Sequence, residues 1–297
     1  MNKEKIIFAL GFFDGVHLGH QALLDACRRL ATAEKAVPAA VTFDLPPKAV
    51  LQGQKPNMLN TVADRKSLLH RYAMERVKVY PADGQTLRLP WQTFLEELVA
   101  MGGVGFVCGE DFRFGRGGEG NAQSLADFSK SRGLPCTVVP EQTMDGEKIS
   151  STRIRALLES GDVENANRLL GHPHILSGTV VSGKHLGRTI GVPTANLYLP
   201  EELLVPAFGV YAAVARVDDK QYPAVTNIGI RPTVDGRGIT VESWLLDFDG
   251  DLYGRDLALE FHAFLRPERK FDSLDALSAQ IQTDAQTAKQ MLSNISL

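Results

Sequence analysis

Two histidines three residues apart, His17 and His20, sit inside the glycine-rich stretch GFFDGVHLGH at positions 11–20. An apolar run precedes the stretch and a helix-like pattern follows it. Gly11 and Gly15 permit a sharp turn, and Gly19 permits a ligand to approach the backbone closely. His20 stands at a helix start, where free N–H groups and the helix dipole attract an anion. Both imidazoles could then donate to phosphate oxygens. The same residues also fit a tight turn whose histidines face solvent, and this stretch alone does not separate the two readings. A second stretch, ISSTRIR (149–155), offers hydroxyls on Ser150, Ser151 and Thr152 and guanidinium groups on Arg153 and Arg155 at another helix start. The planar donor fork of arginine suits phosphate.

Further along, GKHLGRTIGVPTANL (183–197) places Gly183, Gly187 and Gly191 where a backbone could approach phosphates, while Pro193 stiffens a turn presenting Thr194 and Asn196. The bland alternative is a Gly/Pro-rich loop between strands. In VESWLLDFDGDLYG, Glu242 lies mid-strand between Val241 and Ser243, so its carboxylate must face solvent or a polar pocket. Two other patterns are decoys. GTVVSGKH (178–185) begins like a phosphate-binding loop but ends in His185, which has no hydroxyl for a metal, and GRGGEG (115–120) lacks an acidic ribose partner.

The elements that must position these residues change character along the chain. Up to about residue 172, strand-like runs (KIIFAL, AVPAAVTF, VKVYP, VGFVCG, CTVVP) alternate with helical patterns, which predicts an α/β, Rossmann-like domain with a mostly parallel sheet. In such sheets ligands bind beyond the C-terminal strand ends, where GFFDGVHLGH falls. Gly161 is expected to break a helical stretch in two, and HPHILS (172–177) is expected to be a short joint. Beyond it, strand-like runs separated by Gly, Asp and Pro turns predict an antiparallel β-barrel, with DFDGD as a hairpin turn. A terminal helix is expected to present Leu274, Leu277, Ile281 and Ala288 to that barrel. The expected domains are 1–175 and 176–297.

Composition limits the function classes. The 297 residues are 44% hydrophobic and 23% charged, with a net charge of −3 spread evenly along the chain, so neither nucleic acid nor membrane is an expected partner. Three scattered cysteines lack metal spacing and suit a reducing compartment. The apolar run near the N-terminus is broken at Asp14, too early for a signal-peptide core, and no run approaches the roughly 18 apolar residues of a membrane span. A cytoplasmic enzyme is expected.

Taken together, HLGH at 17–20 and the late SST at 150–152 resemble the HxGH nucleotidyltransferases, and VTFD and VCGEDFRFG are similar to segments of the FMN adenylyltransferase subgroup. GKHLGRTIGVPTANL, NIGIRPTV, the strand carrying Glu242, and RPERKFDSLDAL resemble the flavokinases. The resemblance is to the bifunctional riboflavin kinase/FAD synthetase family and covers essentially the whole chain. It departs at Phe12, where Asn is commonest, at Leu45-Pro46-Pro47, where many relatives read PHP, and at Trp244, often His. The resemblance implies that the C-terminal domain transfers the γ-phosphoryl group of ATP to riboflavin, giving FMN and ADP. The N-terminal domain would join FMN to a second ATP, giving FAD and pyrophosphate. It implies Glu242 as the base for the ribityl 5′-hydroxyl, Thr194 and Asn196 as ligands of Mg2+ carried by ATP, and the glycine loop as phosphate contacts. His17, His20, Ser151, Thr152 and Arg155 would stabilise phosphate charge, with Asp111 and Arg153 as weaker flavin or nucleotide contacts. Two further readings stay open: a riboflavin kinase that has lost adenylyl transfer, and a regulator that binds flavin or nucleotide without turnover. A binder gains little from an acid such as Glu242 beside phosphates, which argues against the regulator.

Overall fold

In the computed structural model, residues 3–182, 191–218, 220–233, 236–293 and 295 are described. They divide into two compact units, residues 1–58 with 62–151, and residues 59–61 with 152–297.

The first unit is built on five parallel strands: β1 (Ile6–Leu10), β2 (Val37–Phe43), β3 (Arg76–Tyr80), β4 (Gly103–Gly109) and, after two short strands, β7 (Cys136–Val139). Their order is β3-β2-β1-β4-β7. β1 is a continuous apolar run buried along its whole length, as expected of a strand covered on both faces. Helix α1 (Leu18–Glu34) covers one face with Leu23, Leu24, Cys27 and Ala31, and the Cys27 thiol donates to the Ile7 carbonyl at 3.5 Å. On the other face Phe8 and Phe106 pack with Phe94, Leu95 and Leu98 of α4 (Trp91–Ala100) and with Leu125 and Phe128 of α5 (Ala122–Ser131). Burying each such side chain contributes about 1.5–3 kcal/mol. The chain winds outward from β1 to β3 and then returns to β4, so a crevice opens at the C-terminal ends of β1 and β4.

Two small helices, α2 (Pro47–Leu51) and α3 (Val62–Arg71), follow β2. The GRGGEG segment forms a hairpin between β5 (Arg113–Phe114) and β6 (Gly120–Asn121), with no dinucleotide-type strand-to-helix turn. A second hairpin joins β8 (Thr143–Met144) to β9 (Glu147–Lys148), with Asp145 at φ 57 and Gly146 at φ 80 supplying the positive φ values of a tight turn. Helices α6 (Ser151–Ser160) and α7 (Val163–Leu170) are separated at Gly161, whose φ of 86 ends the first.

The second unit is a closed six-stranded antiparallel barrel in the order β10-β11-β14-β13-β12-β15. Its strands are β10 (His174–Val181), β11 (Ala195–Tyr198), β12 (Gly209–Val217), β13 (Lys220–Thr233), β14 (Gly236–Leu245) and β15 (Asp256–Arg266). Two expectations are corrected here. HPHILS is not simply a joint: from His174 onward it is strand paired with β15, because Asn167 fixes the His174 backbone at 2.8 Å and Leu176 is buried in the barrel. DFDGD is not a hairpin turn, since β14 and β15 are not neighbours and residues 246–255 form a longer loop. The phosphate-loop decoy also has a structural explanation. Gly178 lies within β10, where a Cβ would come within 2.5 Å of the Tyr198 carbonyl oxygen.

Helix α8 (Leu274–Leu292) covers one face of the barrel, with Ala285, Ala288 and Leu292 against Val210, Ala212, Val214 and Val225. Leu274 does not join that face and is 57% exposed. Instead, the helix is fastened by an ion pair. Arg266 donates from Nε to both Asp284 carboxylate oxygens, at 3.1 and 3.0 Å, and from Nη2 at 2.7 Å, while Gln280 donates to the same carboxylate at 2.8 Å. Removing one partner of a buried pair leaves an uncompensated charge and costs about 3–5 kcal/mol. We therefore expect Asp284→Ala to lower the stability of the barrel transition by about that amount in denaturant melts followed by Trp244 fluorescence. A change below about 1 kcal/mol would mean that apolar contacts alone hold α8.

Candidate functional site

The turn after β1 is strained and buried at once. Phe13 and Val16 adopt left-handed φ values of 56 and 43, and Gly15 one of 79. Such a conformation costs about 1–3 kcal/mol at a non-glycine residue, more readily at a β-branched one. Phe13 and Val16 are both 0% exposed. The roughly 1.5–3 kcal/mol from burying each side chain is of the same size, so burial can hold the turn in shape. Gly15 supplies conformational freedom, whereas at Gly11 a Cβ would fall 2.9 Å from the Phe13 ring.

That turn delivers the two histidines. His17 is the N-cap of α1, and its ring accepts the His20 backbone N–H at Nδ1 over 3.3 Å. With Nδ1 accepting, the neutral ring carries its proton on Nε2. The His17 and His20 rings stack at 3.7 Å with 14° between their planes, and Phe13 meets His20 edge-on. The pKa of the His20 imidazole lies well below the usual value, first because the ring is enclosed and then because the neighbouring His17 ring and Arg65 guanidinium disfavour a further positive charge beside them. Two imidazolium rings at this spacing would repel each other, which opposes protonation of His20.

His20 also lines a cavity of about 660 Å3 together with Gly11, Phe12, Phe43, Asp111 and Phe114. That volume falls within the roughly 300–1,000 Å3 typical of ligand pockets. Asp111 accepts from Lys148 at 2.7 Å, and this bond, with Glu141 on the same ammonium, raises the Lys148 pKa. The Ser151 hydroxyl donates to the Asp14 carbonyl at 2.9 Å, bringing the start of the SST helix to the histidine turn. Thr152, Arg153 and Arg155 follow on α6 within the second compact unit.

In the barrel, Thr194 and Asn196 line a second cavity of about 300 Å3, walled also by Ser243, Asp249, Asp251 and Tyr253. Asn196 is directly opposite Glu242 in the β11–β14 register, and Glu242 is opposite Asn227 in β13–β14. Directly paired residues share a sheet face, so these three polar side chains form one row across three strands. The alternating residues point inward, where the Thr226 and Ser243 hydroxyls bond to each other at 2.9 Å. Asn227 in turn donates to Glu268 at 3.3 Å. Gly191 has φ 72 and open space around it, while Gly183 and Gly187 lie outside the described residues.

Several participants had no signal in the sequence. Arg65 is fully buried beneath the histidine turn. Asp249 and Asp251 wall the barrel cavity through the loop that replaces the expected hairpin turn. Asn227 joins the Glu242 row through strand register alone.

Comparisons with known proteins give two family models, one in each part of the chain. A family model described as FAD synthetase matches residues 1–153, and one described as riboflavin kinase matches residues 170–292. The chain is 36% identical over 287 residues to the bifunctional riboflavin kinase/FMN adenylyltransferase of Listeria monocytogenes, covering 95% of this chain and 91% of that protein. It is likewise 36% identical over 292 residues to the protein of the same name from Escherichia coli K12, covering 97% and 93%. A crystal structure described as a macrolide-efflux protein from Streptococcus pneumoniae superposes with a TM-score of 0.86 at 32% identity, covering 100% of this chain and 96% of that one. Among the described residues no helix is long and apolar enough to cross a membrane.

Two imidazoles, His174 in the barrel and the half-buried His20, make the electrostatics testable. Burial lowers His174 to about 3, and His20 is lowered well below 6.5. Below about pH 6.5 the unfolded chain takes up protons at these positions that the folded chain does not, so stability falls as pH drops through that range and recovers as it rises. NMR titration is expected to show both rings still neutral at pH 6. Ordinary titration of His20 near 6.5 would contradict the enclosed, cation-flanked site.

Proposed function

The chain belongs to the family of bifunctional riboflavin kinases/FMN adenylyltransferases, and from that premise we propose how its residues divide the two reactions. Riboflavin is phosphorylated to FMN by the C-terminal flavokinase part, and FMN is adenylylated to FAD by the N-terminal part. ATP is the nucleotide substrate of both.

For phosphorylation, Glu242 takes the proton of the ribityl 5′-hydroxyl as its oxygen bonds to the γ-phosphorus of ATP and the bond to the departing ADP oxygen breaks. The Thr194 hydroxyl, the Asn196 amide oxygen and the nearby Asp249 and Asp251 carboxylates are all hard oxygen donors around one cavity, and these suit a magnesium ion arriving with ATP. The ion would neutralise charge on the β- and γ-phosphates. Gly183, Gly187 and Gly191 let the backbone approach those phosphates. The observation that carries this assignment is the row Asn196–Glu242–Asn227, which sets an acid beside an amide that lines the cavity.

For adenylylation, an FMN phosphate oxygen bonds to the α-phosphorus of ATP, the α–β bridging bond breaks, and pyrophosphate leaves. No protein nucleophile takes part. His17 and His20, as neutral N–H donors, stabilise charge on the phosphates, and Ser151 holds the turn through Asp14. Gly11, Gly15 and Gly19 shape the turn, Thr152 and Arg155 contact phosphate, and Arg153 and Asp111 act as lesser flavin or nucleotide contacts. The three cysteines are free thiols, in keeping with a cytoplasmic setting.

The roles separate by substitution. Glu242→Gln keeps the shape but removes the proton acceptor, so riboflavin phosphorylation should fall by about 10²–10⁴-fold while calorimetric ATP·Mg affinity changes little. Asn196→Ala should weaken ATP·Mg binding itself. His20→Ala should lower FAD formation from supplied FMN by roughly 10² or more, leaving FMN formation near wild type. Near wild-type turnover by the Glu242→Gln variant would exclude Glu242 as the base, and unchanged FAD synthesis in His20→Ala would exclude the histidine turn.

A further inference from the structure

Arg65 is 0% exposed although it carries a full charge, and its surroundings account for how it is held. Nη1 donates to the Phe12 carbonyl at 3.2 Å, to the Thr42 hydroxyl at 3.0 Å and to the Phe43 carbonyl at 2.5 Å, and Nη2 reaches the Met58 sulfur at 3.5 Å. Thr42 itself donates to the Phe12 carbonyl at 2.7 Å. The guanidinium also lies 4.3 Å from the centroid of the Phe12 ring, whose cavity-facing surface is part of the ligand pocket. One cation therefore clamps the residues that leave β1 and β2 at the crevice, and sets the orientation of an aromatic wall. Burial lowers the Arg65 pKa, against the opposing influence of Asp14 and Asp44. Asp14 is 1% exposed and lies within the histidine turn.

Burial of a charge on this scale is costly unless it is bonded and paired. A leucine or methionine would close the same space, so stability alone gives little reason for arginine here. We propose that Arg65 is a positioning residue for adenylyl transfer: its clamp on Phe12, Thr42 and Phe43 holds the histidine turn and the Phe12 wall in the geometry that the reaction needs. This rests on the assignment of the histidine turn to FAD formation. It accounts for a side chain that the reaction does not touch, through two consequences. The clamp fixes the path into the turn, where misplacement of about 1 Å can cost 10²-fold in rate. Its charge also disfavours a proton on His20, while Asp14 and Asp44 are the acidic groups that offset it.

The test uses the full-length chain with Arg65→Met, Arg65→Lys and Thr42→Val, each assayed for FMN formation, for FAD formation from supplied FMN, for melting temperature, and for His20 titration by NMR. Arg65→Met is expected to keep FMN formation at the wild-type rate, to lower the FAD-forming kcat by about 10²-fold, and to move both the His20 titration and the acid limb of FAD formation to higher pH. Arg65→Lys restores charge without the planar fork, so the titration should return towards wild type while kcat stays depressed. Thr42→Val removes one strut and should give a smaller kcat loss with the titration unmoved. An unchanged FAD-forming kcat in folded Arg65→Met, or losses in both activities that simply follow melting temperature with the His20 titration unmoved, would overturn the proposal. If neither Arg65 variant folds, Thr42→Val decides, and wild-type FAD formation there counts against it. The His20→Ala result keeps the two ideas apart. Should His20→Ala leave FAD formation intact, the site assignment itself is wrong; should it abolish FAD formation while Arg65→Met does not, only the positioning role fails.

Discussion

A parallel sheet that binds ligand at its C-terminal edge must hold its strand ends apart without filling the space between them. In the first unit the Arg65 guanidinium meets that constraint by bonding to Phe12, Thr42 and Phe43 where β1 and β2 end. The left-handed residues Phe13 and Val16 then carry the chain to His17, and the His17 ring caps the helix whose first turn presents His20. Each step depends on the one before it. A change in the path at Phe12 would move the buried Phe13 ring and with it the edge contact to His20.

The barrel places its chemistry by a different device. The neighbours of Glu242 are set by hydrogen-bond register between β11, β14 and β13. A slip of one residue in any of these strands would send Glu242 or its amide neighbours to the opposite face. The interior Thr226–Ser243 pair opposes such a slip, since breaking it would leave two hydroxyls unpaired in an apolar core. The Arg266–Asp284 pair ties the covering helix to the end of β15. Rigid strands carry the acid and the amide, while loop residues supply Thr194, Asp249 and Asp251 around the cavity.

Most of the framework was legible in the sequence because apolar runs such as KIIFAL and VGFVCG bury on both faces, and the alternation of elements admits few topologies. The motif histidines and Glu242 stand out in the sequence as candidates because their residue types are unusual at those positions. What escaped was long-range. Arg65 in VADRKSLLHR reads as one polar residue among several on a solvent face, and only the packing of α3 shows it buried. Asp284 is hidden for the same reason, and Leu274 was misplaced because the helix overhangs the barrel at its start. DFDGD contains good turn residues, but local turn chemistry does not say which strands become neighbours. HPHILS looked like a joint because its proline and histidines mask the alternation that β10 continues through Leu176 and Val180.

On the assignments proposed above, two chemically separate sites, one in each part of the chain, act in series, and FMN made at one can serve the other from solution. Mixing two defective proteins tests it most directly: His20→Ala and Glu242→Gln incubated together with riboflavin, ATP and magnesium, and the flavins separated by chromatography. Neither variant alone should make appreciable FAD from riboflavin, whereas the mixture should, because FMN formed by the first is adenylylated by the second. A mixture that makes no more FAD than its components would contradict it.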